Sequence, residues 1–485
     1  MCFVLTCFCN AIMRKYILLL AALMMGAAMQ AKVVPAPVFT DGMVLQQQTD
    51  ALLWGTAKPN AKVVITTTWS KARTVVNAGA DGKWRTAVAT PAAGGPYEIT
   101  FNDGEKVTIG NVLIGEVWIC SGQSNMEMPL KGFQAQPVDG AAEVILGAKP
   151  SVQVRVCKVK RTVSYEVKDT CPARWISHVP AEIGDASATA YFFALRLYET
   201  LGVPVGVVDV SVGGSYIESW MSEETLRREF PGEFDFTHLQ TKTRTRAKSH
   251  HDPCVLYNSM LRSVSGYTAK GFVWYQGCAN SKNPEQYRRL QPAFVKMVRE
   301  NWKNENMPFY YTQIAPYKKH APEMLWTQAL NVYDIPNSAM ATTHDIGNFT
   351  CVHPSNKKTV GDRLAYIALT RDYGFRNIDA KTPMPVKYEF GEGEAVVTFD
   401  VGPMGLSPRS QDLDGFELAG EDGVFYPAKA VVLYGGEWKS KSIKVYQCPE
   451  VTKPVAVRYA WSRWCPSTLY NCSGIPVTPF NSTMK

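Results

Sequence analysis

The apolar-rich run Val112 to Cys120 is the feature that most constrains how this chain can fold. Such a run predicts a buried strand, and it breaks at Ser121-Gly122 before the segment Gln123 to Glu127. Ser124 in that segment suits a nucleophile, because a serine between a strand and a possible helix holds its hydroxyl out of the sheet and near backbone N–H groups. Alternatively, Ser124 is an ordinary helix N-cap, since serine is common there and the Gly-x-Ser-x-Gly pattern is absent.

Predicted strands and helices alternate after this serine. The segment Asp185 to Leu201 predicts an apolar-rich helix, with Asp185 as its N-cap and Gly202 as its stop. A buried strand, Pro204 to Ser211, is predicted next. Further strands are predicted at 272–275 and 309–314, and further helices at 285–302 and 360–369. Alternation of this kind predicts an α/β domain over 111–370, built as a parallel sheet with helices on both faces.

Short strands separated by turns precede and follow this domain. Residues 32–110 contain β-branched and aromatic runs such as Ala61 to Trp69 and Gly94 to Phe101. Residues 371–485 contain further runs, at 386–390, 395–401, 430–434 and 456–460. Turns at this spacing predict flanking N-terminal and C-terminal β-sandwich domains, with the C-terminal domain packing on the central one.

The first 31 residues have the organisation of a secretory signal peptide. Arg14-Lys15 forms a short basic region, Ile17 to Met25 forms an apolar core, and small residues follow as far as Ala31. Met13 is the more conventional start, which makes residues 1–12 an extension; a retained anchor is the alternative. We expect a periplasmic or secreted protein without stable membrane insertion, because no other stretch is long and apolar enough to span a bilayer.

Charge and cysteine content argue against two kinds of partner. The formal net charge is +8, and the positive residues are spread out except for the run Lys242 to Lys248. That run is typical of a solvated loop rather than of a nucleic-acid-binding patch. The nine cysteines after residue 31 contain no Cys-x-x-Cys pair, which argues against zinc. Neither a nucleic-acid partner nor a bound metal is therefore expected.

Four separated blocks resemble a known family, and the first is Gly122-Gln123-Ser124-Asn125-Met126. It is similar to the nucleophile block of the sialate O-acetylesterase family, a group of SGNH-type hydrolases named for Ser, Gly, Asn and His. The resemblance implies that Ser124 is the catalytic nucleophile. It also places Gln123 among the oxyanion and substrate-binding residues.

The second block, Ser211-Val212-Gly213-Gly214-Ser215, follows the predicted strand. Two glycines after a strand allow close backbone approach to a ligand, although an ordinary tight turn is the alternative. In the family this block lends an oxyanion-hole N–H. The resemblance therefore gives that role to Gly213 or Gly214 without choosing between them.

The third block, Tyr275-Gln276-Gly277-Cys278-Ala279-Asn280, ends another predicted strand. Gln276 and Asn280 match the family pattern, and an amide at either position can donate to a developing oxyanion. Cys278 stands where the family usually has Glu, and Leu325-Trp326-Thr327 stands where it often has an Arg-Glu pair. The exchange at Cys278 bears on substrate positioning rather than on the nucleophile.

The fourth block, from His353 to Lys357, resembles the catalytic-histidine segment of the family. His353 would then be the general base. The acid that usually precedes this histidine by two or three residues is missing, because those positions are Cys351 and Thr350. Asp345 is the candidate for a third catalytic residue, and a backbone carbonyl is the alternative acceptor for the imidazole.

The resemblance covers nearly all of the chain after residue 31 and implies an exported serine esterase without a metal or organic cofactor. Its substrate would be an O-acetylated sugar, with 9-O-acetylated sialic acid first and acetylxylan or another polysaccharide as the alternative. The rival from another class is a catalytically degenerate carbohydrate-binding protein. The departures at Thr350, Cys351 and Cys278 favour that rival, whereas the intact Ser124 and His353 oppose it.

Overall fold

The computed structural model of the chain describes residues 32–436 and 439–484, so the predicted signal peptide lies outside the described residues. Contacts divide the chain into two compact units. Among the described residues, the first contains those up to Ala36, Leu53–Ala87 and Glu98–Ile109, and the second contains Pro37–Leu52, Val88–Tyr97 and those from Gly110 onward. Within the described residues, no helix is both long enough and apolar enough to cross a membrane.

The elements alternate between strands and helices through the middle of the chain. The strands are β1 Val34–Pro35, β2 Val44–Gln46, β3 Asp50–Thr56, β4 Lys62–Thr67, β5 Ser70–Asn77, β6 Lys83–Ala89, β7 Gly94–Asn102, β8 Lys106–Gly122, β9 Val154–Val159, β10 Ala173–Ile176, β11 Val205–Ser211, β12 Gly271–Tyr275, β13 Phe309–Thr312, β14 Ser338–Ala341, β15 Met384–Gly391, β16 Glu394–Asp400, β17 Leu406–Ser407, β18 Leu413–Ala419, β19 Phe425–Leu433, β20 Ser442–Tyr446, β21 Ala456–Tyr459, β22 Tyr470–Asn471 and β23 Phe480–Asn481. The α-helices are α1 Ser124–Glu127, α2 Ala141–Leu146, α3 Ala188–Leu201, α4 Glu223–Glu229, α5 Thr237–Thr241, α6 Arg262–Val264, α7 Pro284–Trp302, α8 Pro322–Asp334 and α9 Lys357–Asp372. The predicted mixed α/β class, with several sheets, is confirmed.

The first unit is built from short strands. β1, β3 and β6 form a three-stranded sheet, and β4 pairs antiparallel with β5 and with the end of β7. Trp84 of β6 and Phe101 of β7 are buried and pack with ring centroids 5.5 Å apart. An aromatic pair therefore lies at the core of this unit, as expected for strands rich in aromatic residues.

A central sheet in the second unit positions the candidate functional blocks. Its strand order is β10-β9-β11-β8-β12-β13-β14, and all neighbours pair parallel except β9 with β10. The register places Gly122 opposite both Ser211 and Tyr275. Because the carboxyl ends of parallel strands meet at one edge of a sheet, the first three blocks emerge side by side at that edge.

Burial explains why the sequence pattern revealed these strands. Every residue of β11 and β12 is buried, and β8 is buried from Val112 onward. Strands covered on both faces require nearly continuous apolar runs rather than alternation. Trp118 of β8 lies in this core and packs edge-on against Phe193 of α3, with centroids 5.3 Å apart.

Helix α3 begins later than the sequence predicts. Its N-cap is Ser187, whose side chain accepts the N–H of Ala190. Asp185 lies in the preceding turn, where its carboxylate pairs with Lys131 at 2.6 Å, so it is not the predicted N-cap. The predicted stop is confirmed, because Gly202 caps α3 with a φ of 68°.

Helix α9, which follows the fourth block, packs closely against α3. A Cβ at Gly361 would lie 2.6 Å from the backbone N of Phe193, so only glycine permits this approach. Lys357 is the first residue of α9. The close packing therefore fixes the position from which the histidine loop enters the helix.

An antiparallel sheet completes the second unit. Its order is β15-β16-β20-β19-β18-β21-β23, and its strands include those that the sequence predicts in the tail. The segment before β23 contacts the ends of the central strands. Nε2 of Gln313 donates to Thr478 at 2.6 Å, and Nδ1 of His344 lies 3.2 Å from the carbonyl oxygen of Val477.

Candidate active site

Ser124 stands at the carboxyl edge of the central sheet because β8 ends in a tight turn. Gly122 has a φ of +143°, and a Cβ there would lie 2.2 Å from the carbonyl oxygen of Tyr275. Gln123 is the N-cap residue of α1 and makes no side-chain capping bond. Interpreting Ser124 as an N-cap is therefore wrong, because Ser124 is the first residue of the helix and its hydroxyl points elsewhere.

The Ser124 hydroxyl faces His353 in the loop before α9. Oγ lies 2.7 Å from Nε2 of His353, and Nδ1 of the same ring lies 2.5 Å from Oε1 of Gln136. An amide oxygen only accepts hydrogen bonds, so Nδ1 carries the proton and Nε2 accepts from the Ser124 hydroxyl. This is the tautomer that a general base for Ser124 requires.

The imidazole of His353 is neutral at physiological pH. Burial lowers the pKa of His353 to about 4, and the nearby charge of Lys357 contributes to the shift. The ring also packs edge-on against Phe133, with centroids 5.4 Å apart. Nε2 therefore keeps its lone pair at any pH above the acidic range.

Gln136 is the candidate functional residue that sequence reasoning missed. It lies in the loop between α1 and α2, where Phe133 and Gln136 exchange two backbone hydrogen bonds of 3.0 Å. That pairing presents the Gln136 amide to His353 and holds Phe133 against the same ring. A glutamine in a loop belongs to no motif, so the missing acid of the fourth block was the only signal that another residue must face Nδ1.

The two positions where the family acid would stand form a turn instead. The Asn348 side chain accepts the backbone N–H groups of Thr350 and Cys351, at 2.9 and 3.0 Å. The Cys351 thiol donates to the carbonyl oxygen of His353 at 3.4 Å. These contacts shape the histidine loop, but neither residue bonds to the imidazole.

Asp345 is not brought to His353, which corrects the expectation that it orients the ring. Arg363 of α9 binds both carboxylate oxygens of Asp345, at 2.7 and 2.6 Å. The Arg363 side chain is only 6% exposed and that of Asp345 is 15% exposed, so this is a largely buried bidentate pair. Asp345 therefore anchors the histidine loop to α9.

The second block turns beside Ser124. A Cβ on Gly213 would lie 3.3 Å from Cβ of Ser124, so the turn and the nucleophile are in contact. The N–H of Gly213 donates to Oε2 of Glu127 at 2.6 Å. Gly214, with a φ of +74°, makes no hydrogen bond through its N–H to any described residue. Of the two glycine N–H groups, only that of Gly214 is without an acceptor among the described residues.

The two side-chain amides of the third block differ in how many of their N–H hydrogens are already bonded. Both Nε2 hydrogens of Gln276 are used, by the Ser215 carbonyl at 3.1 Å and by Oδ1 of Asn280 at 2.8 Å. Asn280 donates one Nδ2 hydrogen to Glu218 at 3.0 Å, and the second has no acceptor among the described residues. A primary amide has two donor hydrogens, so Asn280 retains one and Gln276 retains none.

Gln123 joins the first block to the third. Its Oε1 accepts the backbone N–H groups of Gly277 and Ala279, at 3.2 and 3.3 Å. Its own backbone N–H donates to the Tyr275 carbonyl at 3.0 Å. The oxygen of Gln123 therefore holds the nucleophile turn in register with the segment that carries Asn280.

A buried lysine lies behind the first and fourth blocks. Nζ of Lys357, which is 0% exposed, donates to Oδ1 of Asn125 at 2.5 Å, and Nδ2 of Asn125 donates to the Val352 carbonyl at 3.1 Å. Burial lowers the pKa of Lys357 to about 7. Burial also raises the pKa of the nearby Cys278 thiol to about 12, so that thiol stays neutral. Among the described residues, no carboxylate forms an ion pair with Lys357.

A cavity of about 550 Å³ opens beside the third block. Asn280 and Ala279 form part of its wall, and Tyr216, Arg246 and His251 form another part. The Arg246 guanidinium lies over the Tyr216 ring, 5.3 Å from its centroid. The volume is within the range of small-molecule sites, which is about 300–1,000 Å³.

Comparisons with known proteins point to one family. A family model described as carbohydrate esterase, sialic acid-specific acetylesterase, matches residues 114–370, which contain all four blocks. The chain is similar to mouse sialate O-acetylesterase, with 27% identity over an alignment of 517 residues. The alignment covers 90% of this chain and 92% of the mouse protein. It is 27% identical to human sialate O-acetylesterase over 503 residues, which cover 92% of this chain and 91% of the human protein. The crystal structure of a carbohydrate acetylesterase from Xanthomonas citri is similar over 93% of this chain and 100% of that chain, with a TM-score of 0.83 and 30% identity.

Proposed function

Because this chain belongs to the sialic acid-specific acetylesterase family of carbohydrate esterases, we propose that it removes O-acetyl groups from sugars at a centre formed by Ser124 and His353. The chain is a carboxylic ester hydrolase, and the family description favours an O-acetylated sialic acid, for which we propose the 9-O-acetylated form. The observation that carries the proposal is the 2.7 Å contact between Oγ of Ser124 and Nε2 of His353, a ring kept neutral by burial.

The reaction proceeds in two steps through an acetyl-serine. Nε2 of His353 takes the hydroxyl proton as Oγ of Ser124 attacks the acetyl carbonyl. The tetrahedral intermediate collapses when the imidazolium returns that proton to the sugar oxygen, which leaves as an alcohol. Water then attacks the acetyl-serine, the same ring accepts the water proton and passes it to Oγ of Ser124, and acetate departs. A ring that is neutral at rest supports both steps.

Three donors are assigned to the oxyanion hole. The N–H of Ser124 lacks an intrahelical acceptor because Ser124 begins α1. The N–H of Gly214 and the second Nδ2 hydrogen of Asn280 also lack partners among the described residues. Preorganised donors of this kind stabilise the charge that develops on the carbonyl oxygen. Gly213 and Gln276 are assigned positioning roles, because their donors are already used.

Gln136 is assigned the place of the catalytic acid. A neutral amide oxygen at Nδ1 fixes the tautomer and the orientation of His353. It provides less stabilisation than a carboxylate for the imidazolium that forms during the reaction, because it carries no charge. We therefore regard the centre as a Ser-His dyad that is oriented by an amide.

We also propose a domain organisation and a location for the chain. Residues 111–370 form an SGNH-type catalytic domain with helices on both faces of its sheet, and the parallel pairing from β9 to β14 supports this. Residues 32–110 and 371–485 form flanking β-sandwich domains. Residues 1–31 act as a signal peptide that directs export to the periplasm or the exterior and is then removed.

Acetate release by the purified protein, with Ser124→Ala alongside, tests the proposed function. The substrates are 9-O-acetylated sialic acid, acetylated xylan and a small aryl acetate. We expect release from at least one of them, and we expect the loss of Ser124 to abolish it because no acyl-enzyme can form. The rates on the three substrates then identify the sugar.

The degenerate carbohydrate-binding protein makes the opposite prediction. If the folded protein bound glycans but released no acetate from any substrate, the esterase proposal would be wrong. The first residues to restore would then be the family's acid before His353 and its glutamate in place of Cys278.

A further inference from the structure

One arginine of the basic run Lys242 to Lys248 turns inward, although the sequence predicts a solvated loop there. Arg244 is exposed, as expected for such a loop. The side chain of Arg246 is 33% exposed, and its Nη1 donates to Oε1 of Glu218 at 2.7 Å. The Glu218 side chain is only 5% exposed, so Arg246 forms an ion pair with a buried acid just after the second block.

Arg246 is held in this position from several sides. The same Nη1 donates to the carbonyl oxygen of His251 at 2.7 Å, so both of its hydrogens are used. The backbone N–H of Arg246 donates at 2.9 Å to Oδ1 of Asp252, a residue that is 0% exposed. The guanidinium also lies over the ring of Tyr216. Together these contacts hold the guanidinium against Glu218.

Glu218 links Arg246 to a donor of the proposed oxyanion hole. Oε2 of Glu218 accepts one Nδ2 hydrogen of Asn280 at 3.0 Å. Oδ1 of Asn280 accepts the backbone N–H of Ile217 at 3.1 Å and Nε2 of Gln276 at 2.8 Å. Three hydrogen bonds therefore fix the plane of the Asn280 amide, and the second Nδ2 hydrogen is left to donate to an oxyanion.

A carboxylate behind an oxyanion donor has two opposite effects. Its hydrogen bond orients the Asn280 amide, but its negative charge repels the charge that develops on the carbonyl oxygen of the substrate. The two hydrogens of a planar amide diverge by about 120°, so the Glu218 oxygen and the oxyanion would lie about 5 Å apart. At that distance the repulsion would slow the reaction unless a cation neutralised Glu218.

Arg246 is the cation that does so. Among the described residues, it is the one cation in an ion pair with Glu218. Lys282 lies in the wall of the same cavity, but it is exposed and forms no ion pair with Glu218. Burial, followed by the charges of Lys248 and Arg246, lowers the pKa of His251, so that ring is neutral at neutral pH. Neutralisation of Glu218 therefore depends on Arg246.

We propose that Arg246 is a positioning residue of the esterase centre, which neutralises Glu218 so that Glu218 orients the Asn280 amide without repelling the oxyanion. The inference rests on the proposed function and deepens it, because it gives the oxyanion hole a charge-balanced support. Arg246 acts on the reaction through Asn280. A neutral ion pair combines the orientation of a charged hydrogen bond with little net field at the oxyanion.

Four variants separate charge neutralisation from simple anchoring of the loop. They are Arg246→Gln, Arg246→Lys, the double variant Arg246→Gln with Glu218→Gln, and Arg244→Gln. In the double variant two neutral amides replace the two charges, and a chain of hydrogen bonds to Asn280 can still form. Arg244 is the matched control, because it lies exposed in the same basic run and its guanidinium donates to the backbone of Ala247. The substrate is a small aryl acetate, which has no sugar, so kcat reports on acetyl transfer alone.

We expect kcat of Arg246→Gln to fall by about tenfold to a hundredfold at nearly unchanged KM, because an unpaired carboxylate then opposes the oxyanion. Arg246→Lys should lose less, since the charge remains. The double variant should recover most of the lost kcat, and Arg244→Gln should keep the parent value. Melting temperatures establish that each variant is folded. If Arg246→Gln alone does not fold, a folded double variant carries the test, with kcat expected within about tenfold of the parent.

Other outcomes would overturn the inference in distinguishable ways. A kcat within about threefold of the parent in folded Arg246→Gln would remove Arg246 from the reaction while leaving the esterase intact. A fall that the double variant does not recover would mean that Arg246 anchors its loop rather than neutralising Glu218. A rise in KM at unchanged kcat would mean that Arg246 contacts the substrate itself. Absence of acetate release by the parent protein would refute the proposed function and the inference with it.

Discussion

On the serine side of the candidate centre, residues of the matched blocks bond to one another, whereas on the histidine side a residue from outside the blocks orients the ring. On the serine side, Gln123 bonds to two backbone N–H groups of the third block, and Asn280 makes three hydrogen bonds through its side chain. On the histidine side, His353 lies in a loop, and Gln136 is the one described residue that binds Nδ1. The family pattern is matched at the key residues of the first side, and it is broken at Thr350 and Cys351 on the second.

The contrast shows where this chemistry tolerates change. The nucleophile needs a glycine at Gly122 and particular donors around it, because the backbone approaches within 2.2 Å of where a Cβ would lie. The histidine needs only an acceptor at Nδ1, and any nearby loop can supply one. The missing acid at Thr350 and Cys351 therefore falls on the side with the looser chemical requirement. Substitutions at four positions test this contrast, in order of decreasing effect on activity.

Asn280→Ala should have the largest effect on activity. We expect kcat on an aryl acetate to fall by about 100-fold to 1,000-fold with little change in KM, because the variant loses one oxyanion donor. Asn283→Ala is the control, since Asn283 is exposed and makes no side-chain capping bond to α7. A fall of less than about tenfold in a folded Asn280→Ala protein would remove Asn280 from the oxyanion hole.

Gln136→Ala should have the next largest effect. Without an acceptor at Nδ1, His353 loses its fixed orientation, and we expect kcat/KM to fall by about tenfold to a hundredfold. Gln134→Ala is the matched control, because Gln134 lies exposed in the same loop. If both variants retained the parent kcat/KM, the histidine side would need no orienting residue.

A carboxylate in place of the amide sharpens the same prediction. Gln136→Glu places a negative charge against Nδ1, which favours the imidazolium and raises the pKa of His353. The acidic limb of the profile of kcat/KM against pH should therefore move to higher pH. An unchanged limb would mean that the introduced carboxylate does not face the ring.

Some elements of the fold could be predicted from the sequence, and others could not. Fully buried parallel strands appear as apolar runs, so β8, β11 and β12 were predictable from local pattern. The start of α3 was not, because Asp185 and Ser187 are both capable N-caps and only the folded turn decides which one meets the N–H of Ala190.

The remaining details of the site depend on residues that are distant in sequence. The N–H of Gly213 is occupied by the carboxylate of Glu127, 86 positions away. Asn280 is oriented by Glu218, 62 positions away. Gln136 is 217 positions from His353. Hydrogen-bond partners at such separations leave no periodic or local signal, so the sequence pointed to the proposed reacting residues but not to the groups that orient them.

Lys357→Met should change the pH dependence more than the maximal rate. The pKa of Lys357 is about 7, so Lys357 is protonated near pH 4, where its charge helps to lower the pKa of His353. Activity requires neutral His353 and is lost as the pH falls through its pKa. Removing the charge raises that pKa, so the acidic limb of kcat/KM should move to higher pH.

The control for this variant is Lys358→Met. Lys358 is the next residue of α9, its side chain is 52% exposed, and it pairs with Asp362 at the surface. Because solvent screens an exposed charge, this variant should leave the acidic limb where it is. A shift to lower pH in Lys357→Met, or equal shifts in both variants, would contradict the assigned electrostatic role of Lys357.

Asp345→Asn should have the smallest effect on activity and a clear effect on stability. The substitution removes the charge that binds Arg363, a side chain only 6% exposed, and leaves the guanidinium without its carboxylate. We expect the free energy of unfolding to fall by about 1–3 kcal/mol, as for the loss of a charged hydrogen-bond partner. The value of kcat/KM should stay within about threefold of the parent value, because Asp345 does not touch the imidazole.

Urea unfolding and steady-state kinetics on the same sample separate these two effects. A loss of kcat comparable to that of Gln136→Ala, at unchanged stability, would return Asp345 to the catalytic centre. The expected result places it among the residues that hold the histidine side through the fold, since the Asp345-Arg363 pair ties the loop before His353 to α9. The histidine side would then be stabilised by an acid that takes no part in proton transfer, while the ring itself is oriented by an amide.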